Sequence, residues 1–150
     1  MKGFSIVIVR RLATILALSA PVAALAAPLV ALDAAVFVER IKPGAGRLLE
    51  PARRLKRGDR LVYVVSWQRR SGAGGFTVTN PLPRTVSYQR SAADDEQVSV
   101  DGGKRWGKLE GLRIGARIAT PEDVTHLRWR IAPAEAAKGT GRITYSAIVR

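Results

Sequence analysis

Arg60-Leu61-Val62-Tyr63-Val64-Val65-Ser66-Trp67-Gln68 alternates along its whole length, with Leu61, Tyr63, Val65 and Trp67 on one side and Val62, Val64 and Ser66 on the other. Successive side chains of an extended chain point to opposite faces, so this period predicts a strand. Apolar residues on both faces predict that it lies inside a sheet rather than at its edge. Working outward, residues 124–131 place Leu127, Trp129 and Ile131 opposite His126, Arg128 and Arg130, the pattern of a strand with one dry and one wet face. Residues 142–149 repeat it with Ile143, Tyr145, Ala147 and Val149 inward. Further strands are expected over 35–41, 76–80, 84–88, 97–100 and 112–118, and one helical turn over 134–138.

Turn chemistry separates these runs: Lys42-Pro43-Gly44, Arg57-Gly58-Asp59, Ser71-Gly72-Ala73-Gly74-Gly75, Asn80-Pro81-Leu82-Pro83, Asp101-Gly102-Gly103 and Lys138-Gly139-Thr140-Gly141. Short strands at this spacing, with no long amphipathic helix, predict an all-β fold: an immunoglobulin-like antiparallel β-sandwich of seven or eight strands. A closed barrel of the OB type is the structural alternative, because alternation does not separate the two.

The chain has 150 residues, no Cys, one His, and 25 Lys+Arg against 12 Asp+Glu, a formal charge of +13. That length gives one domain. Without Cys there is no disulfide, thiolate metal site or cysteine nucleophile, and a single His does not make a multi-histidine zinc site. No cofactor is expected.

Residues 1–26 have the layout of an export signal: Lys2 near the start, an apolar stretch interrupted by Arg10-Arg11, an uncharged run over 12–27, and small residues around Ala24-Leu25-Ala26. Cleavage is expected after Ala26, with Ala24 and Ala27 as alternatives. The uncharged run contains Pro21 and is shorter than the roughly 20 residues that span a bilayer, which favours a cleaved signal helix over a permanent transmembrane anchor. General secretion is preferred to twin-arginine export, because the residues flanking Arg10-Arg11 fit the latter poorly. Cleavage removes Lys2, Arg10 and Arg11 and no acid, leaving a domain over 27–150 with a formal +10. The expected location is periplasmic or extracellular.

Four segments carry a family resemblance: Leu49-Glu50-Pro51; Arg57-Gly58-Asp59-Arg60-Leu61-Val62-Tyr63; Val78-Thr79-Asn80-Pro81-Leu82-Pro83; and Val98-Ser99-Val100-Asp101-Gly102-Gly103-Lys104-Arg105-Trp106-Gly107. In this order they resemble the bacterial conserved repeat domain, domain of unknown function eleven, of secreted and cell-surface proteins. The resemblance runs over residues 36–149 and implies an Ig-like fold at the cell envelope, a spacer or adhesion role, and no catalytic residues. Two departures are Arg57, where the family's turn often has Pro, and Trp67-Gln68-Arg69-Arg70, where it commonly has an Asn-containing pair.

The segment around Ser99, Asp101, Gly103 and Trp106 also matches the Asp-box pattern Ser-x-Asp-x-Gly-x-x-Trp. Glycines that allow positive φ, a carboxylate that accepts backbone N–H groups and a Trp packed beneath make this a structural hairpin. The rival reading, an accessory carbohydrate-active protein, would need paired catalytic carboxylates. Asp94-Asp95-Glu96 is read as a solvated turn rather than a calcium site, and His126 as surface packing. The strongest functional clue is basic: Arg53, Arg54, Lys56, Arg57 and Arg60 crowd one loop and strand entry, while Arg69 and Arg70 leave the same strand. Guanidinium groups pair bidentately with phosphate and carboxylate. Outside the cytoplasm the matching polyanions are lipopolysaccharide, anionic lipid and acidic glycan; other surface proteins are alternative partners. Intracellular nucleic acid is not an expected partner, because export removes the protein from it. Two readings therefore stand: a non-enzymatic structural or adhesion module, and a basic module that binds envelope polyanions. Dispersed solubilising charge is the alternative account of the arginines.

Overall fold

The computed structural model describes residues 29–150, and the expected export signal over 1–26 lies outside the described residues. The regular structure of the described chain is mostly β-strand, and every strand pairs antiparallel. Its strands are β1 (Val30–Lys42), β2 (Gly46–Pro51), β3 (Arg60–Arg69), β4 (Phe76–Pro81), β5 (Val86–Ser91), β6 (Gln97–Ser99), β7 (Arg113–Ile114), β8 (Arg117–Ile118), β9 (His126–Ile131) and β10 (Thr140–Val149), with one α-helical turn, α1 (Pro133–Ala136), and two short 3-10 turns, Leu109–Gly111 and Pro121–Asp123. A five-stranded sheet runs β2-β1-β3-β10-β5 and a three-stranded sheet β4-β9-β6; β7 and β8 form a small ribbon.

The stretch 60–68 is the core of β3, the middle strand of the larger sheet, as its two apolar faces require. Leu61, Val65 and Trp67 are buried toward the smaller sheet, whose Val78, Val98, Leu127, Trp129 and Ile131 belong to the same apolar cluster. Ile143, Tyr145 and Ala147 of β10 complete that layer. Aromatic rings knit the sheets together. Tyr63 and Tyr145 stack at 4.6 Å, Trp129 lies 5.4 Å from Tyr145, and Asn80 Nδ2 donates to the Tyr145 hydroxyl at 2.5 Å. Trp129 Nε1 donates in turn to Ser91 Oγ at 3.1 Å, so the indole is buried with its polar atom satisfied.

Trp67 is accommodated by Gly141, its partner across the β3–β10 ladder. A Cβ on Gly141 would stand 2.2 Å from Trp67 Cζ2, so the missing side chain is what lets the indole lie over the neighbouring backbone. Phe76 closes the other side, edge to face at 5.2 Å.

Several boundaries differ from the sequence reading. β1 starts at Val30, not at 35, because its ladder with β3 continues to Val30 opposite Arg69 although 31–34 show no alternation. β2 was not expected. It returns on β1 through a turn in which Ala45 N–H donates to Lys42 O at 3.1 Å and Gly44 and Gly46 both take positive φ. The single strand expected over 112–118 is instead the β7–β8 ribbon, folded back at Gly115 with φ of 59°. The strand expected over 84–88 is displaced to Val86–Ser91, because Val86 N–H closes a turn onto Pro83 O.

Candidate polyanion-binding surface

The loop between β2 and β3 is anchored from within and charged on the outside. Asp59 organises it: the carboxylate accepts Lys56 N–H at 2.8 Å and both terminal nitrogens of Arg40, at 2.5 and 3.1 Å. The Arg40 bond, and after it the Lys56 N–H, hold the Asp59 carboxyl below its ordinary range. Arg40 reaches on to the Arg54 carbonyl, and Gly58 N–H, at positive φ, donates to Val149 O at 2.8 Å. Backbone and acid are thus consumed internally. The side chains of Arg53, Arg54, Lys56 and Arg57 are left exposed, and none forms an ion pair among the described residues.

The neighbouring acids are already engaged. Glu50 pairs with Lys42 at 2.8 Å, which depresses its pKa, and Glu39 lies 3.3 Å from both Arg47 and Arg60. Four cations in one short loop with no free carboxylate beside them make a local positive field.

The structure does not gather all seven predicted cations into one patch. Arg60 turns to Glu39 on the solvent face of the larger sheet. Arg69 and Arg70 stand at the far end of a ten-residue strand, about 30 Å from Arg60 at the usual rise per residue. Arg69 is a structural tie: Nε donates to Ala136 O at 3.2 Å, a terminal nitrogen bonds Gly74 O, and the guanidinium lies over Phe76 at 5.5 Å. Arg70 is exposed, at one side of a shallow depression of about 710 Å³ that also involves Asp33, Ser66, Gln68 and Arg142. Arg128 is likewise absorbed, held by Gln97 Oε1 at 2.7 and 3.0 Å and stacked 4.3 Å over Trp106.

The turn that follows β6 is a closed hydrogen-bonded unit. Ser99 Oγ bonds Asp101 Oδ1 at 2.8 Å and accepts Gly103 N–H at 2.9 Å. Asp101 also accepts Lys104 and Arg105 N–H, at 3.1 and 2.9 Å, and Arg105 Nε at 2.7 Å. Trp106 Nε1 donates to Gly103 O at 2.8 Å, and Val98 and Gly107 pair on either side. The Arg105 side chain, then its N–H and the Ser99 hydroxyl, hold the Asp101 carboxyl far below the ordinary range. Its oxygens serve the turn. His126 packs edge-on against Trp106 at 6.4 Å, with Nδ1 3.1 Å from Thr125 Oγ1. In the acidic run, Glu96 contacts Lys108 and accepts the Tyr88 hydroxyl, each at 3.3 Å. Among the described residues no three metal-ligating side chains converge.

One feature escaped the sequence reading altogether. The β1–β2 hairpin carries exposed Ile41, Leu48 and Leu49 beside the basic loop, which itself contributes exposed Leu55. The signal was available in Leu48-Leu49, two large apolar residues between Arg47 and Glu50, but without alternation it did not register as a strand. Comparison of the chain with protein-family models, curated proteins and solved structures returned no match.

Proposed function

We propose that this protein is an exported, non-enzymatic binding module of the bacterial cell envelope, an Ig-like sandwich of the conserved-repeat type that presents its β2–β3 loop to polyanions. The observation that carries the reading is the loop itself: Arg53, Arg54, Lys56 and Arg57 project from a backbone fixed by Asp59, and every nearby carboxylate is occupied by another cation. A preordered cationic loop loses less freedom on binding than a floppy one, and arginine forks match phosphate and carboxylate geometry. The face-to-face antiparallel sheets and the chain's repeated crossings between them support the Ig-like assignment. Asp101 and His126, the groups most able to carry chemistry, are committed to turn and packing roles, which supports binding rather than catalysis.

The test is equilibrium binding of the purified protein to lipopolysaccharide and to a soluble sulfated glycan over a salt series. At about 1 kcal/mol for each basic residue near an anionic surface, replacing all four loop cations with alanine is expected to weaken binding by two to three orders of magnitude, roughly. Binding that is indifferent to salt, or unchanged in that variant, would sink the proposal.

A further inference from the structure

The end of the β1–β2 hairpin, beyond the β1–β3 ladder that stops at Val38, lies outside the buried core. β2 is the outermost strand of the larger sheet, pairs with β1 alone, and contributes nothing to the buried core. Yet this end of the hairpin carries large apolar side chains: Ile41 is 79% exposed, Leu49 53% and Leu48 36%. The register fixes where they point. Ile41 opposes Arg47 and Leu49 opposes Glu39 on one face of the ribbon; Leu48 opposes Arg40 on the other. Pro43 and Ala45 form the tip between them, and Leu55, 45% exposed, lies in the adjoining loop.

A ribbon with apolar side chains on both faces is poorly matched to a flat protein partner, which covers one face and leaves the other in water. A fluid apolar layer covers both. The charges are arranged to match: Arg53, Arg54, Lys56 and Arg57 sit in the loop that Arg40 ties to the hairpin, while Lys42 and Arg47 neutralise Glu50 and Glu39, so the free charge beside the apolar positions is positive. Exposed apolar residues rimmed by basic ones are the chemistry of interfacial insertion, in which aliphatic groups enter the headgroup boundary while cations hold anionic headgroups. Insertion is shallow, because the unpaired backbone edge of β2 must stay where water or headgroups can hydrogen-bond it.

We infer that the end of the β1–β2 hairpin is a membrane-docking wedge whose occupant is an anionic lipid bilayer. Ile41, Leu48 and Leu49 enter the interface, and the β2–β3 loop holds the lipid phosphates. This deepens the polyanion reading and rests on it, since the same loop supplies the charge.

The chain contains no cysteine, so Ile41→Cys and, as a control at an exposed position by the opposite end of the sandwich, Lys138→Cys each give a single labelling position for a polarity-sensitive fluorophore. The protein is purified in its processed form and mixed with equimolar phosphatidylglycerol/phosphatidylcholine vesicles or with phosphatidylcholine alone. The expected result is an at least twofold rise and blue shift of emission at position 41 with anionic vesicles only, and none at 138. The neutral pair Ile41→Asn and Leu49→Asn, at positions too exposed to disturb folding and with no change of charge, is expected to weaken binding to anionic vesicles at least tenfold while leaving sulfated-glycan binding intact. An unshifted probe at 41 on vesicle-bound protein, or unchanged vesicle binding by the asparagine pair, overturns the wedge and leaves the polyanion reading standing. Absence of both glycan and vesicle binding in the wild-type protein overturns both. Concentration-dependent self-association abolished by the asparagine pair, without vesicle binding, assigns the ridge to a second copy and also overturns the wedge.

Discussion

Replacing Gly141 with alanine puts a methyl group 2.2 Å from Trp67 Cζ2, 2.4 Å from Cε2 and 2.7 Å from Nε1. Carbon atoms in contact sit roughly 3.5–4.0 Å apart, so the overlap exceeds an ångström. Gly141 does not have positive φ, and alanine suits its backbone; the conflict is purely one of space. Nor can the indole swing away freely, because Phe76 meets it at 5.2 Å and only 2% of Trp67 is exposed. Overpacking of a tight core costs about 1–3 kcal/mol, and a rigid ring clashing with a strand backbone lies toward the upper end. For a domain of this size that lowers Tm by roughly 5–12 °C, read by circular dichroism and tryptophan fluorescence. Gly111→Ala is the control: a Cβ there has no heavy atom within 4 Å, and its effect is expected within about 0.5 kcal/mol. In a Trp67→Phe background the Gly141→Ala penalty should shrink, because the two positions share one contact. A Gly141→Ala protein that melts like wild type would refute the close approach of β10 to Trp67, and with it the register that joins the central strands.

Arg69→Ala is expected to lower stability by about 1–2 kcal/mol in chemical denaturation, since the side chain bonds the Ala136 and Gly74 carbonyls, whereas Arg53→Ala and Arg57→Ala should stay within about 0.5 kcal/mol. Equal effects would contradict the separation of structural from displayed cations. Acid should loosen the turn after β6. Asp101 is depressed below its unfolded value of 3.8, so the stability it contributes is present above about pH 4 and is lost as pH falls toward its folded pKa; Asp101→Ala should melt lower at pH 7 and show a flatter decline below pH 4 in a Tm series. An identical acid profile for both proteins would contradict the hydrogen-bond account of that turn.

The parts of the fold legible in the sequence are those where one period governs both packing and solvation. β3, β9 and β10 each bury alternate residues against the facing sheet, and their alternation says so. Residues 112–118 mislead for the same reason: Leu112, Ile114 and Ile118 lie at even spacing, but Gly115 takes a left-handed conformation and reverses the chain between them. β2 leaves no trace because it covers no core, and a strand that buries little is not patterned by burial. The basic surface was half legible. The loop cations are contiguous and their crowding is visible, but the fates of Arg60, Arg69 and Arg128 depend on Glu39, Ala136 and Gln97, partners brought near only by the fold. The turn after β6 was readable because nearly all its bonds lie within 99–106; Thr125, which accepts Gly102 N–H, is the one distant member.

The central claim is that the loop formed by residues 52–59, and not the arginines at the far end of β3, takes up polyanions. It is tested most directly by amide chemical-shift mapping of isotopically labelled protein titrated with a soluble sulfated glycan at low salt. The account predicts that the largest shifts fall on Arg53, Arg54, Lys56 and Arg57, spread to the Arg40–Asp59 pair beneath them, and collapse on addition of salt. Shifts centred on Arg69 and Arg70, or a uniform weak response over the whole surface, would contradict it.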